Sequence, residues 1–440
     1  MEKIKKISPY IGLFLLFLFW NLILVSLHLD EIWNYGFAQN IYKGLVPYRD
    51  FNMIITPFYP FLMSLPFHLF GSSMLVFHIE QAFILTVLCW LLFYLLKDRA
   101  WFVIIFFFFP LSFSSPNYNL FLFFLFILLI FMEKRKTNDY MIGFVLGLAV
   151  LTKQSVGFCL LLVSLYYIKD EMKVVKRLVG FLVPIILFII YLFITDSIKE
   201  FLDLCFFGLF DFASSNSRGI NLCFFLFIFM AGITIYFIYR DKKNIFYYYV
   251  LAFLSIMVPL FDVYHLQIAF LPFLMIFLFR ETKIPIKPTL FAFGVIGGVF
   301  AVTAFYRFQQ KIIYPNDIHH FEYRLLDYNN IQFTKEVNRF LKRYSDKDVV
   351  FLNSNAYYFR LINDTDITYL DLINEGNWGY HGSEKLMKEI KNKKNSFFVI
   401  DREDLSSFKQ ADKRAIEYVM QNGKKIKSIR AFDIYILDTK

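Results

Sequence analysis

The sequence predicts an α-helical multi-spanning membrane protein with a C-terminal external α/β domain, and three observations predict it. Of the 440 residues, 58% are hydrophobic and only 19% are charged, against about 25% charged in soluble domains. Up to residue 305 the apolar residues gather in long runs, many near the roughly 20 residues that cross a bilayer core as a helix. Lys and Arg collect in alternate loops between those runs. Soluble single-domain, disordered and collagen-like chains are thereby excluded.

Ser8 to Leu27 is the first span, read as a retained helix because no small-residue cleavage site follows a short apolar core. Met74 to Leu96 is the next. No charge lies between Arg99 and Glu133, and Ser114-Ser115-Pro116-Asn117 reads as a turn, so this stretch is a hairpin of two short spans. Between Asp139 and Lys169 the only charge is Lys153, which costs about 3 kcal/mol at mid-membrane. Two short helices meeting at Lys153 avoid that cost. Leu178 to Thr195, Leu222 to Tyr239, Ile245 to Phe261, Leu266 to Phe279 and Thr289 to Phe305 bring the count to eleven spans. With the N-terminus inside, eighteen Lys and Arg fall in cytoplasmic segments. Only Lys43, Arg49, Lys153, Lys199 and Arg218 fall outside up to residue 305, as the positive-inside rule requires. The net charge of +10 is therefore a topology signal, and no nucleic-acid partner is assigned. Cys89, Cys159, Cys205 and Cys223 have no metal or disulfide spacing and read as packing residues.

The expected domains are a membrane domain, 1–305, and an external soluble α/β domain, 306–440. The latter carries 23 Lys/Arg against 19 Asp/Glu. Val349 to Leu352, Ser396 to Ile400 and Ile429 to Leu437 have strand character. Ser383 to Lys391 and Asp404 to Gln421 read as helices, the second closed by Asn422-Gly423. The loop Gly376 to His381 is polar and aromatic, of a kind that stacks on sugar rings or simply connects. His319-His320 reads as a surface pair. The Phe-rich faces, Phe106 to Phe109 and Phe121 to Phe126, read as packing or lipid-facing surface.

The first external loop, 28–73, is long and not linker-like. Asp30 is placed to N-cap an amphipathic interfacial helix, Glu31 to Tyr42, ending at Gly44. An extended turn, Val46 to Phe51, leads to a second interfacial helix from Thr56 with Pro at an early position.

These residues carry a family resemblance. His28-Leu29-Asp30-Glu31, then Gly44-Leu45-Val46-Pro47-Tyr48-Arg49-Asp50-Phe51, then Thr56-Pro57-Phe58-Tyr59-Pro60 resembles the first external loop of GT-C glycosyltransferases. Within these it is similar to the polyprenyl-phosphate-sugar-dependent, glycosyltransferase family 39-like enzymes, which include protein O-mannosyltransferases and aminoarabinose transferase. Gly147 to Gln154 and Asp262 to Pro272 are similar to that family's helix ending in an external Lys and to its external His/Tyr loop. The resemblance implies a GT-C fold of about eleven spans and a hexosyl- or pentosyl-transferase. A sugar would pass from a polyprenyl-phosphate donor, by single displacement with inversion, to an envelope acceptor: a glycolipid, a teichoic-acid-like polysaccharide or a protein. It implies Asp30 as the base. Glu31 orients Asp30 or binds acceptor.

Chemistry asks for the same groups: a carboxylate for the acceptor hydroxyl and cations for the departing phosphate. Lys153 and His265 are the expected phosphate ligands, Arg218 a third cation, and Arg49, Asp50 and Tyr264 further donor contacts. Glu80, one turn or so into the second span, is a cavity acid or a partner of His78. Where many relatives carry an acid in the second external loop, this chain has Asn119, and an amide is a poor divalent-metal ligand. No cofactor is assigned and a metal is disfavoured. Besides donor, acceptor and membrane lipid, no partner is expected. A chain rich in Lys, Ile, Asn and Phe fits a bacterial cytoplasmic membrane, with the C-terminal domain extracytoplasmic. The competing reading is a transporter or a lipid-linked saccharide flippase, which predicts inverted repeats and broken helices at mid-membrane. A catalytically silent binding protein is the third.

Overall fold

Helix breaks, more than helix lengths, organise the membrane half of the chain. The computed structural model describes residues 2–23, 29–108, 117–216, 219–279, 287–309, 312–313, 320–321, 326–344, 347–353, 356–362, 368–373, 376–393, 395–402 and 413–437. Its helices are α1 (Glu2–Ile23), α2 (Leu29–Tyr42), α3 (Phe58–Ser64), α4 (Phe67–Phe70), α5 (Met74–Leu96), α6 (Trp101–Ile104), α7 (Tyr118–Lys134), α8 (Asp139–Val150), α9 (Gln154–Tyr167), α10 (Glu171–Ile194), α11 (Ile198–Leu202), α12 (Gly208–Asn216), α13 (Leu222–Arg240), α14 (Ile245–Phe253), α15 (Val263–Leu278) and α16 (Pro288–Gln309).

The expected break at Lys153 is present, since α8 stops at Val150 and α9 begins at Gln154. The hairpin is present in its arms: helical turns to Phe108, then α7, capped by Asn117, whose side chain accepts from the Leu120 amide. The Ser114-Ser115-Pro116 turn lies outside the described residues. The count of eleven full spans needs correction. Among the described residues, only 74–108, Glu171–Ile194 and Leu222–Arg240 are long and apolar enough to cross a membrane; Asp139–Val150, Gln154–Tyr167, Ile245–Met257, Val263–Leu278 and others are shorter apolar helices. At 1.5 Å per residue, the 12 residues of α8 reach about 18 Å, short of a core about 30 Å thick. An apolar run in sequence does not reveal where caps end the helix. The half-length α8 turns most of its residues into the protein, whereas α9 leaves Phe158, Leu162 and Tyr166 exposed.

Packing follows side-chain size. A Cβ on Gly143 would come 2.0 Å from the Arg177 carbonyl oxygen, and one on Gly180 would come 2.0 Å from that of Tyr140, so α8 and α10 touch backbone to backbone through small residues. The outer face of α10 instead exposes Leu182, Val183, Ile186, Leu187, Phe193 and Ile194, a lipid-facing surface. The Phe-rich faces serve mostly as packing: Phe107, Phe108, Phe121, Phe123 and Phe126 are buried.

The first external loop folds as expected with two corrections. α2 begins at Leu29, so Asp30 is a first-turn residue and not the N-cap; its carbonyl oxygen accepts from Asn34 Nδ2 at 2.6 Å. Nor does α2 present a polar face to water, because Glu31, Asn34, Gln39 and Asn40 are all buried. The helix lies between the bundle and the external domain, with Phe37 edge-on to Tyr357 at 5.6 Å.

In the external part, β1 (Ile312–Ile313) pairs with β2 (Leu326–Asp327), and α17 (Tyr328–Leu341), α18 (Ala356–Ile362), α19 (Gly382–Asn392) and α20 (Lys413–Asn422) surround a four-stranded sheet. Its strands are β3 (Val349–Leu352), β4 (Phe397–Asp401), β5 (Gly423–Ile429) and β6 (Phe432–Leu437), in the order β3-β4-β6-β5, with β3 and β4 parallel and the other pairs antiparallel. The expected strand from Ile429 onward is in fact the turn and second arm of a hairpin, with Arg430 at φ 49° in the bend. The lysine-rich β5 lacks the apolar alternation that marks a strand. Residues 404–412 of the expected last helix lie outside the described residues, as does His319. His320 is buried against Gln39 Nε2 at 2.8 Å and is not a surface residue.

Candidate functional site

Four helix N-termini converge around Lys153. Lys153 is the N-cap residue of α9, in extended backbone. Its Nζ donates to Asn119 Oδ1 at 3.0 Å and lies 5.4 Å from the centre of the Tyr118 ring; both residues belong to the first turn of α7. Asp30, in the first turn of α2, acts electrostatically on Lys153, as does Asp262. Asp262 caps α15: its Oδ1 accepts the His265 amide at 2.8 Å and faces His265 Nδ1 at 2.9 Å. A carboxylate only accepts, so Nδ1 carries the proton and Nε2 is the other ring nitrogen. Tyr264, in the first turn of α15, stands edge-on to the His265 ring at 5.4 Å and interacts electrostatically with Asp30. Each helix terminus contributes partial positive charge and amide donors. Together with Lys153 they form a place suited to a phosphate.

The first external loop holds Lys153 in position. Thr56 Oγ1 donates to the Val150 carbonyl at 2.8 Å and the Phe58 amide to that of Leu151 at 2.8 Å, satisfying carbonyls at the end of α8. Gln154 Nε2 donates to the Ile54 and Cys205 carbonyls at 3.3 and 3.2 Å. Burial pushes the Lys153 ammonium down to about 8, against the pull of Asp30 and Asp262.

Not every expected residue joins this cluster. Glu31 is buried with His78, Oε1 to Nε2 at 2.6 Å, and both side chains are wholly inaccessible. The sequence had offered Glu80 as the partner of His78; instead Glu80 Oε2 has no hydrogen-bond partner among the described residues. Arg49 and Asp50 clasp one another at 2.9 Å. Asp50 accepts the Val46 amide at 2.7 Å, while Arg49 donates to the Thr195 carbonyl at 3.0 Å, tying the turn to the end of α10. Arg218 lies outside the described residues. The Gly376–His381 loop docks on the membrane half: the Tyr380 and His381 amides donate to Asp203 at 3.3 Å and Asp211 at 2.6 Å, and Lys385 pairs with Asp203. Trp378 is buried, its Nε1 donating to the Leu372 carbonyl at 3.1 Å, so its ring is spent on packing. Sequence reasoning passed over Asp262 and Tyr118 as site residues and treated Asn119 only as a missing acid. The Asx cap before a helix, at Asn117 and Asp262, was the available signal. Among the described residues no group of three or more His, Cys, Asp and Glu side chains is arranged to hold a metal.

The arrangement of a broken-helix bundle followed by an α/β domain resembles the GT-C fold. ArnT from Cupriavidus metallidurans bound to undecaprenyl phosphate superimposes with a TM-score of 0.57 at 10% identity, covering 98% of both chains. The apo state of the same enzyme gives 0.59 at 9% identity, covering 99% of this chain and 98% of that one. An oligosaccharyltransferase from Archaeoglobus fulgidus, in complex with Zn and sulfate, matches 85% of this chain and 64% of its own at 11% identity and a TM-score of 0.42. No family model matches the sequence, and no curated protein sequence matches it.

Proposed function

We propose that this chain is a membrane glycosyltransferase that moves a hexosyl or pentosyl group from a polyprenyl-phosphate donor to an envelope glycolipid, polysaccharide or protein at the outer membrane face. The convergence of Asp30 with Lys153 and the N-terminal ends of α7, α9 and α15 carries this reading, because it sets a carboxylate beside an anion-binding cradle. The likeness to an enzyme crystallised with undecaprenyl phosphate supports the donor class. The proposed organisation is a membrane domain (1–305), with the loop 28–73 and the domain 306–440 outside and the N-terminus inside.

In the proposed reaction Asp30 takes the proton of the acceptor hydroxyl, whose oxygen attacks the anomeric carbon from the side opposite the phosphate. The sugar–phosphate bond breaks and its electron pair stays with the departing phosphate. Lys153 and the helix ends hold that developing charge, with Arg218 as a further cation; His265 joins them as a donor only when both of its ring nitrogens carry protons. Tyr264 serves as a further donor contact beside Asp30. Glu31 acts as an orienting residue: paired with His78 on α5, it holds the first turn of α2, and its burial removes it from acceptor contact. Arg49 and Asp50 serve by shaping the loop, and Glu80 is kept as an acid of the bundle interior. No metal is required by this scheme.

The test is transfer from a panel of polyprenyl-phosphate sugars in membranes, comparing the wild type with Asp30→Asn and Lys153→Ala at matched expression. Donor-dependent product that disappears in Asp30→Asn is expected. Equal turnover by Asp30→Asn removes the site assignment, and no turnover of any donor with a full acceptor panel favours transport over transfer.

A further inference from the structure

The external domain holds a second concentration of charge, unrelated to the Lys153 cluster. Where α17 and the turn after it cross β5, Arg339, Arg343, Lys427 and Arg430 line one groove of about 360 Å³, with Glu336 its single acid. Glu336 engages Arg430 at 3.1 Å. Among the described residues Arg339, Arg343 and Lys427 have no carboxylate partner, whereas the neighbouring Lys425 is paired with Asp433 at 2.7 Å. These three exposed cations share one concavity, a positive field that attracts an anion and weakens with salt.

Local structure aims these side chains into the groove. Arg339 lies in the last turn of α17 and Arg343 in the 3-10 turn that follows it. The pairing of β5 with β6 slips between Lys425 and Lys427, and such a bulge re-aims the side chain that follows it. Lys425 therefore turns to Asp433, and Lys427 turns to α17, its Nζ 5.4 Å from the centre of the Phe340 ring. Lysines on an exposed edge strand deter edge-to-edge pairing, which accounts for Lys424 but not for two arginines on a helix. The planar forks of arginine match the oxygens of a phosphate. In the sheet order β5 is the edge farthest from β3, about 14 Å across three strand spacings. It is β3 that leads into α18, whose Tyr357 packs on α2. The groove thus lies at the edge away from that attachment.

We infer that this groove binds a phosphodiester group of a soluble or polymer-borne anion rather than a lipid headgroup. The inference stands apart from the transfer reading. The full chain in phosphatidylcholine nanodiscs is titrated calorimetrically with a short glycerol-phosphate oligomer, with inorganic phosphate as competitor. Saturable binding is expected, weakening with salt and displaced by phosphate. Arg339→Ala/Arg343→Ala weakens it about tenfold, the sum of two exposed charge contacts. Glu336→Gln, which removes the acid of the groove, tightens it, a gain that misfolding cannot imitate. Absence of saturable binding overturns the inference, as does binding that the double substitution leaves unchanged. Binding to phosphatidylglycerol vesicles without binding to the oligomer overturns it too, by assigning the groove to the bilayer. Because the readout is binding and not turnover, none of these outcomes bears on Asp30.

Discussion

Two clusters of buried charge lie at opposite ends of α8 and are built on opposite principles. At the Asp139 end, Arg177 donates to Asp139 at 2.7 Å, to Glu133 at 2.5 and 3.0 Å and to Ser164 at 2.6 Å, and Tyr249 donates to Glu133 at 2.9 Å. Every charge there meets its opposite within five helices, α7, α8, α9, α10 and α14. At the Lys153 end, beyond the far terminus of the 12-residue helix and about 18 Å away, the ammonium donates to an amide oxygen, and among the described residues no acid closes an ion pair with it. A saturated network locks helices together. An unsaturated one leaves bonding capacity for something else, as sites that bind and react require.

This contrast is testable from both ends. Asp30→Asn keeps the shape of the outer cluster and removes its base, so transfer is expected to fall about a thousandfold, with the thermal midpoint in detergent unchanged. A large loss of stability instead would make Asp30 structural and erase the contrast. Arg177→Ala should do the reverse, because Glu133 and Asp139 then keep buried charges without a cation; a loss of about 3–5 kcal/mol is expected, read as a lowered midpoint or loss of folded protein.

Lys153→Ala should raise the apparent KM for donor about tenfold, near the 1.4 kcal/mol of one charge-assisted contact, with a smaller change in kcat. The pH dependence has a definite sign. The cation is present below about 8 and is lost as pH rises through that value, so donor affinity should fall on the alkaline side. Lys153→Arg, which stays charged, should abolish that fall. An alkaline fall that persists in Lys153→Arg assigns the titration to another group. The smallest effect is expected at Lys385, whose pair with Asp203 is half exposed; Lys385→Ala should cost under about 1 kcal/mol in a thermal scan.

Much of the fold was legible in sequence because its causes are local. The break at Lys153 follows from the cost of one charge inside an apolar run. The turn at Gly44, with φ 85°, follows from the residue that tolerates it. Strand β3 and helix α19 were visible in a few consecutive residues. Failures have physical reasons as well. β5 was hidden because lysines on an edge strand leave no apolar alternation, and His320 was misjudged because burial by a distant segment has no local signature. Glu31 was grouped with Asp30 by adjacency. One residue along a helix turns a side chain by about 100°, which sends Glu31 to His78 and leaves Asp30 facing Tyr264.

By itself the sequence determined where the chain is apolar, where its helices must break and which residues are able to carry charge chemistry, since each is a property of neighbours in the chain. Tertiary structure alone decided that Asp30, Asn119, Lys153 and Asp262, drawn from four helices across more than two hundred residues, meet in one place, and that Arg177 does not join them. Such a meeting is a matter of helix packing, and packing depends on contacts between residues far apart in sequence.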